Sequence, residues 1–255
     1  MSDVENDRLL GVLGVLGAMG PLASAQFMTR LTLLTDAAVD QDHIPAILWS
    51  DPRIPDRGPS LLGEPGAADP LPALLAAARG LRSVGCSALA IPCNTAHGWA
   101  GILGAQGMEL LHIVDATAGE LAREVPRGGC VGVIGTTATL RLKLYPAGLE
   151  PFGWRCIEPT EDETAQLVMP AIAAVKGNRV AESFAPIAEV TRSLVSRGAD
   201  AVVLGCTELP ISLLWGDHGA AALRSFGVPV IDTIDALARA SIAWSRGQRR
   251  IARAA

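Results

Sequence analysis

Short apolar runs alternate with longer amphipathic segments along this chain, the pattern of strand–helix units that assemble a parallel sheet. The first half predicts strands at Leu10 to Leu16, Ile44 to Trp49, Ala88 to Ile91 and His112 to Val114. The second half repeats the series at Val131 to Ile134, Trp154 to Ile157, Ala201 to Leu204 and Val228 to Ile231. Landmarks recur in order: GVLG opens one half and GVIG the other, SVGCSALAIPCNTAH is matched by SRGADAVVLGCTELP, and HIVDATAGELA is echoed by PVIDTIDALAR. Two similar α/β halves follow from the repeat.

Helix signals agree with that division. Pro21 starts a helix running from Leu22 through Leu34. Asp69-Pro70 reads as a cap followed by proline at the first helical position, Leu71, Leu74, Leu75, Ala78 and Leu81 form the apolar stripe, and Gly85 ends the segment. Between Asp51 and Pro70 the chain is crowded with Pro and Gly, too long and too broken for a tight connection. Ordered loops of that kind often close over ligands; a plain solvent loop is the alternative.

Composition narrows the function classes. A chain of 255 residues, 49% hydrophobic, suffices for one large or two small cores. With net charge −5, 4% aromatics and one basic stretch around Arg246, Arg249 and Arg250, neither a phosphate-tracking patch nor a base-stacking platform is evident, and no nucleic-acid partner is expected. The N-terminus MSDVENDRLL is acidic rather than a basic-then-apolar leader, and no apolar run nears the ~20 residues that span a bilayer. The expectation is a cytoplasmic protein with no membrane partner. Five cysteines without CxxC spacing argue against a disulfide framework and a zinc site, so no metal is expected. Cys86, Cys130 and Cys156 lie at apolar runs and read as inert buried thiols.

Cys93 and Cys206 differ, because each ends a strand-like run and is followed at once by turn residues. In an open α/β sheet, ligands bind beyond the carboxyl ends of strands, where turns expose N–H groups. A thiol there, with an ordinary pKa near ~8.5 lowered by a helix N-terminus or a cation, can serve as a base. Asn94, Thr95 and Thr207 follow the two thiols and suit a carboxylate or a developing enolate, though capping the next helix explains them too. Glu208 could orient the Cys206 thiol or simply favour a helix start. His97, four residues after Cys93, reads as structural. Lys143 and Lys176 are the only lysines, and neither has a recognisable pyridoxal-phosphate context, so cofactor-free chemistry is favoured.

Taken together, GAMGP, DQDHIP, IPDR, PCNTAH, PTEDE and GCTE occur in an order that resembles the aspartate/glutamate racemase superfamily, aspartate racemase branch, from about Leu10 to Leu237. The resemblance implies two pseudo-symmetric α/β domains, each a four-stranded parallel sheet flanked by helices, with the site in the interdomain cleft. It places residues 1–112 plus 225–255 in the first domain and 113–224 in the second, with the C-terminal strand and helix packed back on the first. It also implies a homodimer and a cofactor-independent racemase of acidic amino acids, aspartate first and glutamate second. By the PCNTAH and GCTE matches, Cys93 and Cys206 exchange the α-proton from opposite faces. By the IPDR match and the position after PTEDE, Arg57 and Lys176 clamp the side-chain carboxylate. The GTTAT turn brings in Thr137 as a substrate contact. Two residues depart from the branch, Ala18 and Ala138, each where Gly is usual. Alternatives are a maleate-type dicarboxylate isomerase and, from another class, a non-catalytic binding protein whose two thiols respond to redox state.

Overall fold

The computed structural model describes residues 11–214 and 219–254; the stretch MSDVENDRLL, including the Leu10 expected to open the first strand, lies outside them, as do the side chains of Arg249 and Arg250. Two parallel four-stranded sheets form the framework. β1 (Val12–Gly17), β2 (Ala46–Ser50), β3 (Cys86–Ala90) and β4 (Glu109–Leu111) lie in the order β2-β1-β3-β4. β5 (Cys130–Gly135), β6 (Arg155–Ile157), β7 (Ala201–Gly205) and β8 (Val230–Asp232) repeat that topology as β6-β5-β7-β8. β5 and β7 are buried along their whole length, and β1 at all but its first residue. Their Val, Leu and Ile runs lack polar alternation because both faces are covered.

The repeat extends to the turns that launch the central strands. The helix Leu71–Ser83 ends before Gly85 at φ +93°, and the helix Phe184–Ser196 ends before Gly198 at φ +90°. Only glycine enters this left-handed region without a side-chain penalty, so each glycine stops its helix and turns the chain into β3 or β7. Asp69 Oδ1 accepts from Leu71 N at 2.9 Å, so Asp69 caps this helix from one position earlier than expected, with Pro72 rather than Pro70 inside the first turn.

Three expectations need correction. Residues His112 to Val114 are not a strand: β4 lies three residues earlier, and His112 Nδ1 accepts from Val114 N at 3.3 Å to cap the helix Ile113–Glu124. The apolar run LLHIV crosses both elements, so hydrophobicity could not locate the boundary; the equivalent cap in the second half is Asp232, which accepts from Ile234 N at 2.7 Å. The C-terminal strand does not join the first half, because β8 pairs with β7. The helix Thr233–Ala254 packs on Pro21–Leu34 and Ile113–Glu124, and Arg30 grips Asp235 through two bonds of 2.5 and 2.7 Å. Finally, Cys156 is half-buried on an edge strand, unlike the buried Cys86 and Cys130. No described helix is long and apolar enough to cross a membrane.

His97 is the polar tie that holds the end of the third strand–turn unit. It is 3% exposed; its Nε2 accepts from Ile113 N at 3.2 Å, so Nδ1 carries the proton and donates to Cys93 O at 3.0 Å. Burial, helped by His112, holds its pKa down to about 3. Below the ordinary histidine value of ~6.5 the unfolded chain therefore takes up a proton that the folded one refuses, and stability falls by up to ~1.4 kcal/mol per pH unit towards pH 3. Replacing His97 by Ala should cost about 2–4 kcal/mol at neutral pH by orphaning two buried backbone groups. The variant should also lose this part of the acid slope, as denaturant titrations at pH 7, 6, 5 and 4 would show.

Candidate active site

Four turns at the carboxyl ends of the central strands converge on one cavity of about 250 Å³. After β1 come Ala18, Met19 and Gly20; after β3, Cys93, Asn94 and Thr95; after β5, Thr136, Thr137 and Ala138; after β7, Cys206, Thr207 and Glu208. In each sheet the chain leaves its first strand for the outer neighbour on one side and returns on the other, so the cavity sits at two facing switch points. All eight site residues singled out from the sequence, Cys93, Cys206, Arg57, Lys176, Asn94, Thr95, Thr207 and Thr137, line it.

The Pro- and Gly-rich segment contributes a wall. Within it Asp56 accepts from Gly58 N at 3.1 Å and caps the short helix Arg57–Leu61, so the segment is not the structureless loop its composition suggests. Arg57 is 7% exposed, and it is held by Met19 O at 3.2 Å, Pro55 O at 2.9 Å and Ile54 O at 3.3 Å. Its buried Nε has no hydrogen-bond partner among the described residues.

Lys176 arrives from the opposite half. A capping box, Thr160 with Glu163, starts the helical stretch Glu161–Glu163, which widens into a π-turn over Thr164–Val168 and continues as Met169–Lys176. Pro170 lacks an N–H and its ring crowds the preceding turn, a defect that the π-turn absorbs. Met169, Ile172 and Lys176, spaced three and four apart, then share the face that lines the cavity. Burial works against the Lys176 charge, but Glu208 foremost, then Cys206, Asp56 and Cys93, outweigh it and raise its pKa.

The two thiols occupy equivalent turns but unequal surroundings. Each is 5% exposed. Cys206 Sγ lies 3.0 Å from Glu208 Oε2, and Glu208 Oε1 accepts from Gly20 N at 3.2 Å. Burial, then the Glu208 charge, push the Cys206 thiol well up, with Lys176 opposing. Cys93 has no carboxylate within hydrogen-bonding distance among the described residues, and its carbonyl is taken by His97.

The polar turn residues also stitch the halves together. Thr95 Oγ1 meets Thr136 Oγ1 and Thr139 Oγ1 at 3.1 Å each, and these two are 3.0 Å apart. Thr207 Oγ1 donates to Pro92 O at 3.3 Å. Asn94 Oδ1 accepts from Tyr145 at 2.6 Å, while its Nδ2 donates to Thr233 at 3.3 Å. The oxygen and one N–H of the Asn94 amide are thus both committed to the scaffold. Tyr145 was missed from the sequence, although it is the chain's single tyrosine, set within an apolar segment. Ala18, the first departure from the family pattern, sits at φ +67° with its N–H donating to Ser24 Oγ at 2.7 Å, so the turn keeps a left-handed residue there although it is not glycine. Ala138 stands inside the helix Thr137–Arg141, where alanine needs no special backbone. Among the described residues no cluster of His, Cys, Asp and Glu could hold a metal ion.

Comparison with known proteins agrees with this layout. The family model described as Asp/Glu/Hydantoin racemase matches residues 16–241. The chain is similar to the Picrophilus torridus aspartate racemase structure, at 30% identity and TM-score 0.77, over 92% of this chain and 94% of that one. It is 29% identical to the broad specificity amino-acid racemase RacX of Bacillus subtilis over 163 residues, 64% of this chain and 66% of that protein. The fold alone is shared with a Francisella tularensis glutamate racemase solved with D-glutamate, at 17% identity and TM-score 0.66, over 94% and 82% of the two chains. With the paired sheets, the duplicated cysteine turns and this match over most of its length, the chain belongs to the Asp/Glu/hydantoin racemase family.

Proposed function

We propose that this protein racemises an acidic amino acid, aspartate first and glutamate second, by a proton transfer in which Cys93 and Cys206 are the acid–base pair and no cofactor takes part. The observation that carries the reading is that thiols from equivalent turns of the two halves line one cavity together with Arg57 and Lys176. One thiolate takes the Cα proton and becomes a thiol while the other thiol gives its proton to the opposite face and becomes a thiolate. The enzyme therefore ends each turnover with the two roles exchanged.

Two cations from different halves suit a substrate with two carboxylates. A guanidinium forms paired bonds to one carboxylate, and an ammonium adds a point charge. Arg57 lines the cavity and its guanidinium is braced by three backbone carbonyls, which fixes the direction of its charge before substrate arrives. Backbone N–H groups of the four turns are the natural partners for charge developing on the α-carboxylate. Aspartate and glutamate differ by one methylene, worth only ~1–3 kcal/mol of discrimination, so both belong in the assay. Reduced protein incubated with L-aspartate in D2O, without pyridoxal phosphate, should yield α-deuterated D-aspartate. Cys93→Ala and Cys206→Ala should each abolish racemisation while retaining the wild-type melting temperature to within a few degrees. Absence of exchange with aspartate and glutamate would sink the reading, and fumarate formed from maleate would redirect it to the isomerase alternative.

Lys176 offers the cleaner test of the clamp, because Arg57 also braces its loop. Lys176→Met should raise KM for aspartate about 10–100-fold, the loss of roughly 1.5–3 kcal/mol of charged contact, in a variant that folds with a lowered melting temperature because Glu208 loses its cation. An unchanged KM would remove Lys176 from the site.

A further inference from the structure

We propose that Glu208 is a positioning residue that holds the proton on Cys206, so that the resting site carries Cys206 as its acid and leaves Cys93 as the thiol that ionises to act as base. The inference rests on the two-thiol reading above and deepens it, since two cysteines alone do not say where the proton sits before substrate binds.

The argument is one of donors and acceptors. Glu208 is 3% exposed; Gly20 N–H occupies one of its oxygens at 3.2 Å, and Cys206 Sγ lies 3.0 Å from the other. Both oxygens thus face donors, as a carboxylate requires, and a thiol can donate where a thiolate cannot. Removing the Cys206 proton would put two buried anions in contact, which disfavours ionisation. Thr207 Oγ1, 3.5 Å from the same Oε2, is drawn aside to Pro92 O at 3.3 Å and offers Glu208 little in exchange.

The other charged and titratable groups around Cys206 leave that conclusion intact. Lys176 is the cation that opposes it, and its charge is shared among Glu208, Cys206, Asp56 and Cys93. Arg57 lies across the cavity, held by three carbonyls of its own half. Tyr145, buried behind Asn94, has its pKa driven upward mainly by burial and stays neutral. Cys93 bears on Lys176 but has no counterpart of Glu208.

In the forward step the Cα–H bond breaks towards Cys93, forming its S–H, while the Cys206 S–H breaks to form the new Cα–H on the other face. The Cys206 thiolate left beside Glu208 is the disfavoured state, so the free enzyme returns to rest by moving one proton from Cys93 to Cys206, with no other reactant.

Thiol chemistry tests this without substrate. Reduced, unliganded protein would be treated with iodoacetamide from pH 6 to pH 10, and the rate at each cysteine read from its peptide by mass spectrometry. Comparing Cys206 with itself in the Glu208 variants holds access constant and leaves ionisation as the main difference in rate. In wild type at pH 8, Cys206 should react at least ~10-fold more slowly than Cys93. Glu208→Gln keeps an acceptor for Gly20 N–H but turns an N–H towards the sulfur. It should speed Cys206 about 10-fold or more and lower the midpoint of its pH profile by about one unit, leaving Cys93 within ~2-fold. Glu208→Asp, which keeps the charge, should leave Cys206 slow. Wild-type Cys206 reacting as fast as Cys93, or unmoved by Glu208→Gln in a folded variant, overturns the inference. If Glu208→Gln does not fold, the wild-type ratio decides. Missing racemisation with slow Cys206 alkylation would sink the proposed reaction, and with it the acid and base roles, while leaving the Glu208-held proton on Cys206.

Discussion

A buried carboxylate must be given donors or neutralised, and the architecture around Glu208 answers that demand. Its two oxygens are met by Gly20 N–H from the first sheet's turn and by Cys206 from its own, so one side chain spans the cleft between halves. That contact is possible only if the turn after β1 presents its backbone inward. Ala18 in the left-handed region and Ser24 bonded to both Ala18 N and Gly20 O hold it that way. The site's asymmetry follows, because among the described residues no carboxylate lies within hydrogen-bonding distance of Cys93 as Glu208 does of Cys206.

The remaining cross-links are weaker singly and act as a set. The three hydroxyls of Thr95, Thr136 and Thr139, the Tyr145–Asn94–Thr233 chain and Thr207 on Pro92 each join an element of one half to an element of the other. Beneath them the helices Pro21–Leu34, Ile113–Glu124 and Thr233–Ala254 share one apolar cluster with both sheets. Hydrophobic burial supplies the non-directional attraction, and the polar contacts select the register in which four turns meet.

Much of this is legible in the sequence. β1, β3, β5 and β7 were readable because strands covered on both faces are uninterrupted apolar runs. Cys93 and Cys206 stood out because polar turn residues follow those runs immediately. Edges were less legible: β4 was misplaced by three residues within LLHIV, where only the His112 cap marks the change of element. The repeat of apolar runs puts β8 in the second half, where it pairs with β7; only the domain bounds implied by the resemblance carried it to the first. Arg57 and Lys176 carried no local signal that distinguished them from a loop charge and a helix-end cation; the motif resemblance singled them out.

The amino-acid sequence by itself determined the duplicated strand–turn–helix plan, the glycines that launch β3 and β7, and the two thiols at strand ends. Each of these depends on neighbours within a few residues: periodicity, left-handed glycine, caps. Only the tertiary structure decided that Glu208 would face Gly20 across the cleft, that Tyr145 would donate to the Asn94 amide oxygen, and that Lys176 would share a cavity with Arg57. These pairings join residues far apart in the chain, separated by 188, 51 and, for the two cations, more than a hundred positions. Local sequence preference carries no information about such partners; the packing of the two halves does.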